Sequence, residues 1–506
     1  MTSMTHGLTK YDSFVRECTR QDSSRPPLPQ VFGRIAHRNP ITGKELKGKP
    51  LTAKNVIQAF TQALDSMEDK NDDNPKGKVA AGMTFFGQFV DHDITLDATS
   101  AIGQRIDPRS IRNVRTPALD LDCIYGDGME ASPHLYHPEH KGFLLFGNAD
   151  NPFDLARNSH GTALIGDLRN DENGVLSQLQ GAFIALHNIC MSGAMAASDL
   201  TSVMGGIRAG AMDNHITEKT GRFEAARRAV RLHYQWLVIN DLLPAFVDAG
   251  VLKKIIQKLA NGDLPAPFKP DSPIMPIEFS GAAYRFGHAT VRNRYTINTT
   301  IGDVGLFDEA FRGFMKRDKQ FNVEFKCLFD VPGNNTFDKA RPVGRKLPSS
   351  IFKLPFVESG LEIDGVELPL SEARKLPHRN IFRDRFALEL ASGQQMAAKM
   401  GIAGIPAPKE LTDHGIDKTP LWYYCLQEAE NFSGKLGPVG GTIVATTILR
   451  LLHLDDESLI CSAPDFKPWQ ALGATKGGKY SIGHMLAFVE KNRGNIDHRT
   501  ELYEPQ

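Results

Sequence analysis

Along most of the chain, apolar residues return every three or four positions, the period of a helix with one buried face. The spacing predicts helices over Ala53–Met67, Lys78–Asp93, Leu176–Ala197, Arg222–Leu243, Glu278–Val291, Ile381–Met400 and Thr442–Leu452. Strand-like stretches are few and short, Phe143–Phe146 among them. Long loops with Gly and Pro separate the helices, as at Asn261–Pro276 and Asp330–Lys346. Residues 1–50 are rich in Pro, Arg and Lys, with Arg25-Pro26-Pro27-Leu28-Pro29 among them, and read as an irregular arm over the surface. No repeat, low-complexity tract or clean linker divides the rest. Residues 51–506 therefore read as a single large, mainly α domain with very little β.

Composition sharpens this picture. At roughly 150 residues per domain the length alone suggests about three domains, but the unbroken helical pattern argues for one shell, large enough to enclose a cofactor. The 506 residues carry 59 Lys+Arg and 59 Asp+Glu, a net charge of zero. That leaves no basic footprint for nucleic acid or for an anionic membrane surface. The six cysteines include no CxxC pair and are too sparse for a disulfide scaffold. Met1–Asp12 has no apolar core of a signal peptide, and Val439–Leu452 is short for a membrane span and holds Gly440, Gly441 and Arg450. The expectation is a protein without a membrane span, cytoplasmic or exported by a non-classical route.

Four segments carry candidate chemistry. In Phe85-Phe86-Gly87-Gln88-Phe89-Val90-Asp91-His92-Asp93, helical pitch puts Gln88 and His92 on one face, opposite Met83, Phe86 and Val90. Asp91 and Asp93 diverge by about 160° and so serve different places. A solvated helix end is the plain alternative, and a His-Asp metal phosphohydrolase a functional one. In Thr116-Pro117-Ala118-Leu119-Asp120-Leu121-Asp122, followed by Tyr125-Gly126, oxygens alternate as a calcium loop requires, although a surface loop with two acids also fits. Gly166-Asp167-Leu168-Arg169-Asn170-Asp171-Glu172 precedes a helix; alone it reads as an N-capping acid near an arginine. In Tyr284-Arg285-Phe286-Gly287-His288, a helix would put Tyr284, Arg285 and His288 on one side, with Gly287 admitting a flat group beside the imidazole. A histidine so placed suits axial haem ligation.

In this order and with these internal spacings, the four segments resemble the animal haem peroxidase family of the peroxidase–cyclooxygenase superfamily, from about Lys78 to about Leu452. Gly437-Pro438-Val439-Gly440 resembles the start of the family's C-terminal helix. The short loops and absent disulfides look like a bacterial-type member. The resemblance implies a haem b peroxidase that reduces hydrogen peroxide and oxidises small donors, halides, pseudohalides or phenols, through a ferryl intermediate.

Residue by residue, it implies that His92 is the distal acid/base, Arg169 the distal arginine and Gln88 the residue that holds a distal water or halide. His288 is then the proximal iron ligand. Asn380 would orient its other ring nitrogen, and Arg383 and Arg285 would face propionates, although Leu390-Ala391-Ser392-Gly393-Gln394 departs from the animal pattern. Asp91 and Glu172 match the carboxylates esterified to haem. Asn173 stands where myeloperoxidase has its sulfonium methionine, so that link is absent. Asp93, Thr116, the Ala118 carbonyl, Asp120 and Asp122 match the calcium ligands. The rivals are a fatty-acid dioxygenase of the same superfamily, whose radical tyrosine stands three residues before the proximal histidine where this chain has Arg285, and a non-catalytic haem-binding or adhesion module.

Overall fold

Helix α1, Ala53–Leu64, starts where the Thr52 hydroxyl accepts the Asn55 N–H, and it buries Val56, Phe60 and Leu64 on one face. The structure is a computed structural model that describes residues 32–39, 52–71, 77–96, 113, 115, 117–192, 218–269 and 274–492. Helix α2, Gly82–Ile94, begins against Phe329, whose ring leaves no room for a side chain at Gly82. Helix α3, Gly174–Met191, is capped by the Asn173 side chain and is buried on every side, the position of a central helix. Helix α4, Glu218–Leu237, continues into a π segment, Val238–Leu242. Phe89 stacks on Phe183 with ring centroids 4.9 Å apart, and Tyr234 meets both edge-on. One aromatic cluster thus pins α2, α3 and α4 together.

The remaining long helices are α5, Ala249–Ala260, α6, Leu421–Glu430, α7, Pro438–Leu454, and α8, Ile482–Asn492. Glu428 on α6 accepts the Val439 and Gly440 N–H groups, so its carboxylate caps α7. Burial pushes that carboxyl up to about 7, against those two hydrogen bonds. Sheet structure among the described residues is limited to two-stranded pairs, the longest being the hairpin β1, Arg294–Asn298, with β2, Gly302–Gly305. The fold is the mainly α one expected. No helix of the described residues is long and apolar enough to cross a membrane.

Four expectations change in detail, one being the helix expected over Ile381–Met400, which passes into a π segment at Arg383–Ala387, breaks over Leu388–Ser392 and resumes as the short helix Gly393–Lys399. Phe143–Phe146 does not form a strand: the Asn188 side chain takes both the N–H and the C=O of Leu144, leaving a single bridge to Tyr136. The helix expected over Glu278–Val291 breaks at Ala282 into Ile277–Gly281, a 3-10 turn at Ala283–Phe286 and the short helix Gly287–Thr290. Of the N-terminal arm, residues 32–39 are described, and they enter the core. Phe32, Ile35 and Ala36 are buried, and buried Glu278 accepts the Ile35 and Ala36 N–H groups.

Candidate functional site

One wall of the site is α2 with the 3-10 turn Leu168–Asp171 packed against it. His92 is buried, and its Nδ1 lies 2.8 Å from Asn170 Oδ1. Asn170 Nδ2 donates to Gln180 Oε1, and Gln180 Nε2 donates to the Cys123 carbonyl, both at 2.8 Å. A carbonyl can only accept, so its contact fixes the orientation of both amides. Asn170 therefore presents an acceptor to His92, Nδ1 carries the proton, and Nε2 keeps a free lone pair. Burial, aided by the Arg169 charge, pushes His92 down to about 4, against the opposing pull of Asp91 and Asp167.

Arg169 is anchored on one side. Asp167 accepts from its backbone N–H and from Nε and Nη2, and Nη2 also donates to the carbonyls of His92 and Thr95. Among the described residues Nη1 has no hydrogen-bond partner. Asp171 in the same turn is held by both Nη atoms of Arg157, at 2.6 and 2.8 Å, which fixes the turn from behind. Glu172 closes it. Its carboxyl accepts from Gln88 Nε2, while Gln88 Oε1 faces Asn173 at 3.5 Å. Burial pushes Glu172 up to about 7 despite Gln88 and Arg169. Yet Glu172 keeps considerable accessible surface. The carboxyl is thus packed against protein on one side and accessible on the other. Asp91 is half-buried, and its Oδ1 accepts the Thr95 hydroxyl at 2.9 Å.

The opposite wall is the broken segment Ala283–Thr290, backed by the helix Leu376–Phe382 and the π segment Arg383–Ala387. The 3-10 turn separates side chains that a continuous helix would have aligned. The Tyr284 hydroxyl donates to the Gly87 carbonyl at 3.0 Å, whereas Arg285 Nε turns to the Ser280 carbonyl. His288 Nδ1 lies 2.9 Å from the Asn380 amide nitrogen, and Asn380 Oδ1 is buried with no hydrogen-bond partner among the described residues. A half-turn of that amide would put Oδ1 on an Nδ1–H and leave Nε2 bare. Burial, then the charges of Arg285 and Arg383, pushes His288 down to about 3, so its ring is neutral. A side chain at Gly287 would meet nothing within 4 Å, so space lies open beside this imidazole. A neutral ring facing open space, flanked by two arginines, fits a flat dianionic group with an iron at its centre.

Asp93 points away from both walls. With Asp120 and Asp122 it forms a cluster whose oxygens lie within 4.8 Å of one another. Both Asp93 oxygens are buried, and among the described residues neither has a full hydrogen bond, although the Tyr234 hydroxyl and the Leu121 N–H face the carboxyl. Burial, then Asp122 and Asp120, pushes its carboxyl well above the usual range. Leu119 (φ 50°) and Leu121 (φ 63°) hold the loop in the left-handed region, a strained conformation for leucine. Three crowded acids, with Arg115 paired to Asp122, and a strained loop fit a hard divalent cation. The Ala118 carbonyl faces Gln235 and Arg231 at 3.4 and 3.5 Å. Thr116 lies outside the described residues. Sequence reasoning missed Asn170, Gln180 and Arg115. Asn170 alone left a signal, as a polar residue between Arg169 and Glu172.

The mainly helical shell thus sets buried His92 on one wall and half-buried His288 on the other. The family model for animal haem peroxidase matches residues 97–322, which take in Arg169, Glu172 and His288. No curated protein sequence matches the chain. Among solved structures, peroxidase A of Dictyostelium discoideum is similar at 12% identity and a TM-score of 0.57, covering 96% of each chain. The fatty acid alpha-dioxygenase of Oryza sativa is similar at 14% identity and a TM-score of 0.56, over 94% of this chain and 82% of that one. That of Arabidopsis thaliana is similar at 13% identity and a TM-score of 0.56, over 94% and 78%. The chain thus resembles the animal haem peroxidase family over residues 97–322 and shares the fold of the peroxidase and of the two dioxygenases.

Proposed function

We propose that the chain is a haem peroxidase, reducing hydrogen peroxide and oxidising small donors such as halides, pseudohalides or phenols. The observation that carries this reading is the anchored amide chain from the Cys123 carbonyl through Gln180 and Asn170 to His92. It leaves His92 Nε2 as a proton acceptor in a buried site, which a module that merely held haem would not require. When bound, the haem iron supplies the ligand position for peroxide and accepts its oxidising equivalents. His92 Nε2 takes the proton from the inner peroxide oxygen and returns it to the outer one, which leaves as water. Arg169, through its free Nη1, steadies the charge that develops on the departing oxygen. Gln88 stands beside Glu172, in reach of a small donor at the same wall. His288 would ligate the iron, oriented by Asn380, with Arg285 and Arg383 toward the propionates.

Asp91 and Glu172 would hold the haem as esters. Haem should then resist acid organic solvent in the wild type and leave freely from the Asp91→Asn/Glu172→Gln double variant; intact extraction from the wild type would refute the esters. The Asp93, Asp120 and Asp122 cluster would hold calcium, with Thr116 and the Ala118 carbonyl as further ligands.

Tyr284 supports a second reading. It is buried, and its hydroxyl reaches across to Gly87 on the distal helix, so a fatty-acid dioxygenase using a tyrosyl radical is the alternative. Stopped-flow spectroscopy with hydrogen peroxide, followed by bromide, iodide, thiocyanate and a phenol, tests the first reading. Rapid spectral change and return on donor addition are expected. Oxygen uptake with an unsaturated fatty acid, abolished in Tyr284→Phe, would establish the second instead. A purified protein with no Soret band would defeat both.

A further inference from the structure

The acid cluster is tied to the distal wall by a buried ionic thread that the proposed reaction does not itself use. Arg115 Nη1 pairs with Asp122 Oδ1 at 3.1 Å, and Arg115 Nε pairs with Asp167 Oδ2 at 3.1 Å. Arg115 Nη2 also donates to the Gly166 carbonyl at 3.2 Å, which fixes the guanidinium in its plane. Asp167 in turn holds Arg169 at 2.7 Å. The side chains of Asp122, Arg115 and Asp167 are 1%, 12% and 4% exposed, so water and salt screen these pairs little. Burial alone would raise Asp167, but Arg169 and Arg115 outweigh it and hold its carboxyl below the usual range. One guanidinium is therefore shared between a carboxylate of the cluster and the carboxylate that anchors the distal arginine.

We propose that Arg115 and Asp167 are positioning residues that convey occupancy of the Asp93, Asp120 and Asp122 cluster to Arg169. A divalent cation in the cluster takes up the charge of Asp122. Arg115 is then held less by Asp122 and bonds Asp167 more strongly. Asp167 draws less on Arg169, and more of the Arg169 charge is available to an anion at the distal position. The inference rests on the haem reading of the site, and on the cluster being a cation site. It does not depend on whether the reaction is peroxidatic or dioxygenating. It also differs from a direct field effect of the cation, which would act through space with or without Arg115.

The test is linkage in the ferric, haem-loaded protein. Azide affinity is read from the Soret shift with and without saturating calcium. Calcium affinity is read by calorimetry with and without saturating azide. Coupling between binding sites is reciprocal, so the two factors must agree. Calcium is expected to tighten azide binding about tenfold, and azide to tighten calcium binding equally. In Arg115→Gln and in Asp167→Asn both ligands still bind, and the factor falls to within about twofold of unity. Arg115→Lys, which keeps the charge, retains part of the coupling and shows that the fold tolerates change there. In haem-free protein, Arg115→Gln should bind calcium several-fold more tightly, since a neighbouring positive charge is gone. A wild-type factor of one, or a full factor surviving both neutralising variants, overturns the relay while leaving the haem reading intact. Failure of calcium to bind overturns it too. The absence of a Soret band would instead overturn the haem reading, and the relay with it.

Discussion

Each wall of the site sets an imidazole against a carboxamide, but the two pairs are supported differently. On the distal wall, His92 sits near the end of a straight 13-residue helix, and its amide partner is oriented through Gln180 by a backbone carbonyl. On the proximal wall, His288 sits in a four-residue helix behind a 3-10 turn, and Asn380 keeps a buried oxygen with no hydrogen-bond partner among the described residues. A π segment starts three residues beyond Asn380 and runs over Arg383–Ala387. Such π segments are frequent at functional sites. The distal wall is thus complete as protein alone: its amide chain already holds His92 with the proton on Nδ1. The proximal wall has geometry left to settle, and a ligand on His288 Nε2 would settle it by requiring the proton on Nδ1.

The largest effects should separate the walls by kind. His92→Gln should keep the Soret band of ferric haem and slow the reaction with peroxide on the order of 10²–10⁴-fold. His288→Ala should change the band itself, because the iron would lose its ligand. Spectra and stopped-flow traces of the two variants check this. A His92→Gln protein reacting at the wild-type rate would remove the distal wall from the chemistry.

The next effects are smaller and concern the amides. Asn170→Ala frees the His92 ring to rotate or change tautomer, and should slow the peroxide reaction about 10- to 100-fold without moving the Soret band. Asn380→Ala should shift the spectrum or weaken haem retention by a similar factor, with a lesser effect on the peroxide step. If Asn170→Ala proved silent in the rate and Asn380→Ala in the spectrum, the two walls would not differ in the way their hydrogen bonds indicate.

The two walls also differed in how much of them the sequence disclosed. Asp91, His92 and Asp93 fall within three consecutive positions of a regular helix, so pitch alone sent Asp91 and Asp93 to different places, as observed. Arg169 and Glu172 share a single short turn, again a local relation. Tyr284 and Arg285 could not be placed, because the break at Ala282 is set by packing and leaves the helical period before it intact. Phe143–Phe146 has the composition of a strand, but a side chain from α3 claimed its backbone groups, a tertiary event with no local signature. Gln180 and Arg115 lie 57 and 51 residues along the chain from the backbone groups they bond. Nothing in their own neighbourhoods marks them. The long helices were legible because burial of one face imposes its period. Helix α5 also carries that signal, with the Asp248 cap and Leu252, Ile255 and Leu259 buried, but is not among the helices expected from the spacing.

Acidity gives a milder test of the distal wall. In the proposed reaction only neutral His92 can accept the peroxide proton. Because its pKa is lowered to about 4, the imidazole remains neutral well below the range where a free histidine would charge. The rate constant for peroxide should stay level from pH 7 down to about 5, then fall toward tenfold per unit below about 4. An acid limb near 6.5 would mean that His92 is not held in the buried, Arg169-facing state described.

The smallest effect concerns what joins the walls. Thr84 on α2 and Thr290 at the end of the proximal helix bring their hydroxyls within 2.8 Å, and Thr290 also donates to the Gly287 carbonyl at 2.8 Å. A hydroxyl has one hydrogen, so Thr290 must be the acceptor in the pair and Thr84 the donor. Thr84→Val then removes only that donor and should cost about 1 kcal/mol of stability. Thr290→Val removes both bonds and leaves the buried Thr84 hydroxyl unsatisfied, at about 1–3 kcal/mol. The double variant should cost less than the sum, because the stranded hydroxyl is gone. Urea denaturation of the haem-free protein measures all three. A Thr84→Val cost equal to or above that of Thr290→Val would reverse the donor assignment, and an additive double variant would show that the two walls are not joined through this pair.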